Sequence, residues 1–277
     1  QDTTVDAYLN DESVEIERIK DTKNDKLVQI KLTFTMSAFT KCFRPVSNYP
    51  TDFADLAVWL RADSGVTFDI PTKRVSAWAD KSGQSNGMAQ VTTSNQPLRY
   101  GYGGGNDKAY LSFDGTNDLM TSDNNSPITT DFTIFEVSRI DSDNDNVFGW
   151  YNAAGAISLG TDGSGFLNAT VSDGTTTLTT NTGIDNKLSN HIGVLKKHNK
   201  RIDLEYYDSS NSIAATDNDA SFNNSYLFNT TTFNIGSYNA TNFLSGQLQE
   251  VIIYNRALSS NEIADVKGYL NLKYKIY

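Results

Sequence analysis

The stretch SGQLQEVIIYNRALSSNEIADVKGYLNLKYKIY, Ser245 to Tyr277, decides the reading of the fold. A small-residue and glycine turn leads into a strand expected over 246–254. Asn255-Arg256 then turns the chain tightly. Ser259 and Glu262 form a Ser-x-x-Glu capping box, which starts a helix by satisfying its first free amides. Ile263, Val266 and Leu270 recur at helical spacing, so the helix has one apolar face. It is expected to pack across the end of a β-sandwich.

Working back from this segment, the chain from Asp55 onward reads as short strands at roughly regular spacing, the pattern of a sandwich. Strands are expected over 57–61, 74–79, 109–113, 119–121, 132–139, 146–151, 156–160, 165–171, 175–180, 190–197, 201–207 and 231–236. In Phe132-Thr133-Ile134-Phe135-Glu136-Val137 the core face takes Phe132, Ile134 and, after a twist, Val137. In the run from Arg201 it takes Ile202, Leu204 and Tyr206. Trp59 and Trp78 are large apolar residues in strand settings and are assigned to the core. Asp80-Lys81-Ser82-Gly83 and Asp114-Gly115-Thr116-Asn117 are turns, where Asp bonds nearby backbone and Gly takes positive φ.

Residues 1–50 stand apart from residues 51–277. Val28, Ile30, Leu32, Phe34 and Met36 alternate with polar residues, the period of an amphipathic strand. Val14, Ile16 and Ile19 alternate less cleanly, and a hairpin across Asp21 to Asp25 is expected. Two readings stay open. The strands pack on the main domain, or they form an arm whose alternating apolar residues are an assembly interface with a partner's sheet.

The chain has 277 residues, of which 38% are hydrophobic, enough for one large β-domain and an accessory segment. Its formal net charge of −10 repels phosphate backbones and anionic lipid, which excludes nucleic-acid partners. No stretch approaches the ~20 apolar residues of a membrane span. The single cysteine, Cys42, excludes an internal disulfide and a cysteine-rich metal site.

LAVWLRADSGV (Leu56 to Val66), VSAWADKSGQSNGMAQ (Val75 to Gln90), QPLRY (Gln96 to Tyr100), LSFDGTNDLM (Leu111 to Met120), FTIFEVS (Phe132 to Ser138) and the C-terminal stretch occur in that order. The series resembles the laminin-G-like group of concanavalin A-like domains found in phage structural proteins and bacterial surface proteins. The resemblance covers Asp55 to Tyr277. It implies an all-β jelly-roll sandwich with one short C-terminal helix and an N-terminal β accessory. It also implies recognition rather than chemistry: a virion or cell-surface protein, attached to neighbouring subunits and displaying loops to a host-surface glycan or a protein. A decoration protein without ligand and a glycoside hydrolase are the alternatives.

The residues bear on each class. Sandwich hydrolases need two carboxylates flanking the sugar bond, and the nearest acidic strand, Asp203-Leu204-Glu205, lacks the following Glu. His191 and His198 have no recognisable nucleophile partner in the sequence, so no catalytic residue is assigned and the chain is expected not to be an enzyme. Asp141, Asp143 and Asp145 alternate as carboxylates converging on calcium do. Asn146 and Asn152 stand where an EF-hand needs Gly and Glu, so the run is either an acidic turn or a calcium site of another kind, which laminin-G-like domains carry at the sandwich rim. Glycans need aromatic platforms beside amides. Trp150, Tyr151 and Asn152 are the first candidates, followed by Tyr100 and Tyr102 in the glycine-rich loop and by the polar loop Tyr238 to Asn242.

Overall fold

A computed structural model describes the backbone of residues 15–21 and 26–33, and residues 49–277 in full. Contacts divide the chain into two units, Gln1–Ser47 and Asn48–Tyr277. In the first, β1 (Glu15–Asp21) and β2 (Lys26–Thr33) pair antiparallel as the expected hairpin, with a register shift at Ile19/Lys20. Val28, Ile30 and Leu32 lie in β2, whereas Phe34 and Met36 lie outside the described residues.

The second unit continues with β3 (Leu56–Arg61), β4 (Val66–Phe68), β5 (Val75–Trp78), β6 (Met88–Ala89), β7 (Leu98–Tyr100), β8 (Tyr110–Asp114) and β9 (Met120–Ser122). Then come β10 (Phe132–Ile140), β11 (Asn146–Asn152), β12 (Gly155–Thr161), β13 (Phe166–Ser172), β14 (Thr177–Asp185) and β15 (His191–His198). The last elements are β16 (Arg201–Tyr207), β17 (Ser212–Asn218), β18 (Phe233–Ile235), β19 (Ser245–Tyr254) and the helix α1 (Ser260–Tyr274).

The strands form two antiparallel sheets. One has eight strands in the order β17-β16-β15-β10-β19-β8-β7, with β3 also on β19. β8 and β3 share one edge of β19: β8 pairs Ser245 to Leu248, and β3 pairs Glu250 to Tyr254. The other has nine strands in the order β14-β13-β12-β11-β18-β9-β6-β5-β4. Phe132, Ile134, Leu204, Tyr206, Val251 and Ile253 of the first sheet join Trp78, Phe148, Trp150, Leu159, Val171 and Ile235 of the second in one core. Each large apolar side chain buried there contributes about 1.5–3 kcal/mol.

The helix corrects one expectation. It covers the outer face of the eight-stranded sheet, not the end of the sandwich. Ile263, Val266, Leu270 and Tyr274 pack on Phe135, Val137, Ile192, Val194, Ile252 and Tyr254. β10 and β19 are therefore buried on both faces, which is why apolar residues stand side by side in them, Ile134-Phe135 in β10 and Val251 to Tyr254 in β19. Val137 belongs to this outer layer rather than to the interior, and so does Trp59. The capping box forms as expected, with Glu262 N donating to Ser259 Oγ and Ser259 N to Glu262 Oε2. Beneath the helix, the buried Glu250 carboxylate accepts from Trp59 Nε1 (2.6 Å), Tyr269 OH (2.9 Å), Lys273 Nζ (2.7 Å) and Tyr274 OH (2.6 Å).

Four short or edge strands, β4, β6, β7 and β17, were not legible as strands. β17 alternates exposed and half-buried residues along an edge and carries little apolar signal.

Candidate functional site

The Asp80 turn builds one side of a concave site. The Asp80 carboxylate accepts from Trp59 N (2.8 Å), Ser82 N (2.8 Å), Ser82 Oγ (2.6 Å) and Asn86 N (3.0 Å). These bonds hold residues 80–86 along the edge of β3 that faces away from β19. Ser82 Oγ (3.2 Å) and Asn86 Nδ2 (2.9 Å) then donate to Ala57 O.

Beside this edge lies a cavity of about 430 Å³. Thr51, Phe53, Asp55, Leu56 and Ala57 form one wall, Ser82, Gln84 and Asn86 another, and Pro127 and Asn255 close it. Its volume falls in the range of ~300–1,000 Å³ typical of small-ligand sites. Asn255 Oδ1 accepts from Thr129 N (2.7 Å) and Thr129 Oγ1 (3.0 Å), so its Nδ2 remains as a donor. Asn86 has committed Nδ2 to Ala57 and keeps Oδ1 as an acceptor. Gln84 makes no side-chain hydrogen bond among the described residues. Asp55 is held in the left-handed region, φ 62°, at the mouth, which costs energy for a residue other than glycine. Its carboxylate lies 3.7 Å from Arg256 Nε. The cavity thus offers donors, acceptors and one carboxylate around Phe53 and Pro127. Sequence reading missed it because its lining comes from four separated segments.

The sequence candidates are dispersed. Trp150 is fully buried and presents no surface to a ligand, a correction that follows from strand alternation: it points inward against Phe228 (ring centroids 5.3 Å apart) and Tyr226 (6.4 Å). Tyr151, one residue on, points outward, is 43% exposed and meets Tyr238 edge-on at 5.7 Å and 77°. The Asn152 amide is committed, accepting from Ala154 N (2.7 Å) and Tyr226 OH (3.1 Å) and donating to Thr230 Oγ1 (2.6 Å). Tyr100 is stacked on Tyr110 (5.1 Å, 12°) and covered by Lys73 Nζ, 4.4 Å from the ring centroid. Both neighbours occupy the faces a sugar would need. Tyr102 is 76% exposed, with no ring partner among the described residues.

The three aspartates named as calcium candidates take separate partners. Asp141 forms a two-pronged pair with Arg139 (2.8 and 2.9 Å). Asp143 pairs with Lys187. Asp145 is buried, accepts from Ser245 N (2.7 Å), and burial pushes its carboxyl up to about 6. Among the described residues no group of three His, Cys, Asp or Glu is placed to hold a metal ion. Two separate cations draw two of the carboxylates apart, and the third turns inward. Nearby, burial and then the charge of Asp114 push Asp118 up to about 7.

The structure also assembles a group that the sequence did not reveal. His191 Nε2 lies 3.0 Å from Glu136 Oε1 and 3.3 Å from Ser138 Oγ, while Nδ1 meets Ser189 O at 3.1 Å. All three side chains are buried. A nucleophilic relay needs the base to hold the serine with one ring nitrogen and the acid with the other. Here one nitrogen faces both, and no substrate reaches it, so the group is a buried ion pair. Asp203 and Glu205, the nearest acidic strand, are tied to Lys196 and Lys267.

No protein-family model matches the sequence, and neither does any curated protein. Solved structures do match. Domain 4 of AbnA, a GH43 extracellular arabinanase from Geobacillus stearothermophilus, in complex with arabinotriose, superposes with a TM-score of 0.54 at 11% identity, over 76% of this chain and 98% of that one. The fold is a jelly-roll β-sandwich. An arabinofuranosidase complexed with arabinofuranosyl-α-1,2-xylobiose matches over 83% of this chain with a TM-score of 0.56, also at 11% identity. This chain spans 62% of that one. At such identity the likeness is one of fold.

Proposed function

We propose that this protein recognises glycans without cleaving them, and that the cavity beside β3 receives the sugar. One observation carries the reading. The cavity sets uncommitted amide groups of Asn86, Asn255 and Gln84 beside Phe53 and Pro127. A sugar ring has hydroxyls that both donate and accept and C–H faces that lie on apolar surface, and this lining complements both. The fold neighbours support the same direction, since both were solved with an arabinose-containing oligosaccharide. Hydrolysis asks for two carboxylates about 5–9 Å apart, and Asp55 is the one carboxylate in the lining. The glycan is neutral on this reading, because the lining offers no cation to an acidic sugar.

The same reading gives the N-terminal hairpin the task of attachment to a virion or surface assembly. A two-stranded hairpin is marginally stable in water by itself, and β1 and β2 form a unit of their own. That supports pairing with a partner's sheet.

Calorimetric titration with arabinotriose, xylobiose and neutral hexose oligosaccharides tests the proposal. The expected result is saturable binding that Gln84→Ala and Asn86→Ala weaken without unfolding the protein. Binding unchanged in both variants removes the cavity from the function. Release of reducing sugar from any of the probes overturns the non-enzymatic reading.

A further inference from the structure

A pair of tyrosines stands on the outer face of the nine-stranded sheet and shares no residue with the cavity. Tyr151 and Tyr238 meet there at 5.7 Å with their planes 77° apart, forming an open corner. The corner is assembled by a close approach of two backbone segments. At Gly149 any Cβ would overlap Ser237 O and the Tyr238 backbone, so glycine lets the strand-crossing segment lie flat against β11. Tyr238 is thereby brought beside Tyr151.

The segment then turns back on itself in four residues. Tyr238 N donates to Thr241 O (2.9 Å) and Thr241 N to Tyr238 O (2.8 Å), and Thr241 Oγ1 also donates to Tyr238 O (2.7 Å). Asn239 and Ala240 both take positive φ, 49° and 54°, as a type I′ turn requires. Ala240 has neither the freedom of glycine nor the side-chain bonding of asparagine, so it is held there against its own preference. Asn242 follows at φ 48°. Backbone outliers persist where the surroundings over-determine them, and they gather at binding sites. Here three consecutive-region outliers fix one aromatic ring and present Asn239, Thr241 and Asn242 to solvent. Burial raises the Tyr238 phenol above its ordinary pKa, so that ring is neutral across the physiological range.

We infer that the Tyr151–Tyr238 corner is a second carbohydrate platform, taking a pyranose or furanose unit of a neutral glycan with its C–H face on Tyr151 and its hydroxyls toward Asn239 and Asn242. The inference rests on the glycan-recognition reading but not on the cavity. A flat corner suits an internal unit of a chain, open at both ends, whereas a cavity suits a terminus. Two sites on one sandwich raise the apparent affinity for polymers above that for short oligosaccharides by effective concentration.

The test uses the full chain and four forms: unaltered, Gln84→Ala, Tyr151→Ala, and the double variant. Each is run in native affinity gels containing soluble arabinan, arabinoxylan or a neutral β-glucan, with thermal unfolding as the folding control. Tyr151→Phe keeps the ring and is expected to behave as the unaltered chain. Tyr151→Ala is expected to weaken retardation roughly tenfold, the effect of losing one stacked ring, with its unfolding temperature unchanged. The double variant is expected to run as if no polysaccharide were present. If Tyr151→Ala is retarded like the unaltered chain while Gln84→Ala is not, the corner is no platform and the cavity reading stands. If only Tyr151→Ala loses retardation, the corner stands and the cavity falls. If no form is retarded by any of the three polymers, both are overturned. Should Tyr151→Ala prove unfolded, Asn242→Ala in the Gln84→Ala background replaces it, and retardation of that double variant equal to that of Gln84→Ala alone sinks the inference.

Discussion

Trp59 Nε1 donates to Glu250 Oε1 at 2.6 Å, and both side chains are buried between the eight-stranded sheet and α1. The indole comes from β3, the carboxylate from β19, and the three other donors to Glu250 come from the helix. One carboxylate therefore ties the first strand of the sandwich, its longest strand and the only α-helix among the described residues.

A buried carboxylate is tolerated only while its partners are present. Glu250→Ala leaves two phenols and an indole without their acceptor and Lys273 with Asp63 alone (3.1 Å), and is expected to cost about 3–5 kcal/mol in urea unfolding. Glu250→Gln keeps part of the bonding and is expected to cost less. A loss below about 1 kcal/mol in Glu250→Ala would mean that the helix is held by its apolar face alone.

The His191–Glu136 pair gives stability a pH dependence. Burial opposes the charge on His191, but the Glu136 carboxylate outweighs it and raises the imidazole above its ordinary 6.5. The native state then keeps its proton to higher pH than the unfolded chain does. The stabilisation is complete below pH 6.5 and is lost as pH rises through the folded value. The urea midpoint is expected to fall as pH rises above 6.5, and His191→Gln is expected to start lower and stay flat there. An equal fall in both proteins would assign the effect elsewhere.

Asp118 acts in a lower window with the same sign. Burial and the neighbouring Asp114 charge raise it from 3.8 to about 7, so the folded protein holds a proton that the unfolded chain has released. Stability is lost as pH rises from 3.8 to about 7. Asp118→Asn mimics the protonated form. Relative to the unaltered chain it is expected to gain on the order of 2 kcal/mol between the two ends of that window. Unfolding curves at both ends check this, and parallel behaviour of the two proteins would place Asp118 in water.

Trp150 and Tyr151 are adjacent in sequence and opposite in consequence. Trp150→Ala opens a cavity between the sheets and is expected to cost about 3–5 kcal/mol. Tyr151→Ala lies on the outer face and is expected to change stability by less than about 1 kcal/mol. Thermal unfolding of the pair distinguishes them, and similar losses in both would contradict the inward and outward assignment of β11.

Much of the fold was legible because its signals are local. Period-two alternation marks the core strands, and Ser259 with Glu262 marks the start of α1. Asp80 and Asp114 mark turns through bonds to amides a few residues away. The short strands β4 and β6 and the edge strand β17 were missed for the matching reason: they bury too little to leave a pattern. The glycan candidates fared unevenly. Tyr151 and the Tyr238 loop stand on an open face, but parity alone does not say which of Trp150 and Tyr151 looks inward until the neighbouring strands are in place.

The sequence by itself determined a β-sandwich with a capped C-terminal helix, an N-terminal hairpin and an acidic surface. Each follows from spacing, composition or charge within a few residues. Only the tertiary structure decided that α1 lies on a sheet face, because β10 and β19 are apolar on both sides and offer two surfaces to cover. It alone decided that Asp141 and Asp143 go to Arg139 and Lys187, a choice set by cations two and 44 residues away. The cavity, too, exists only once residues 51–57, 82–86, 127 and 255 meet, and no local period encodes that meeting.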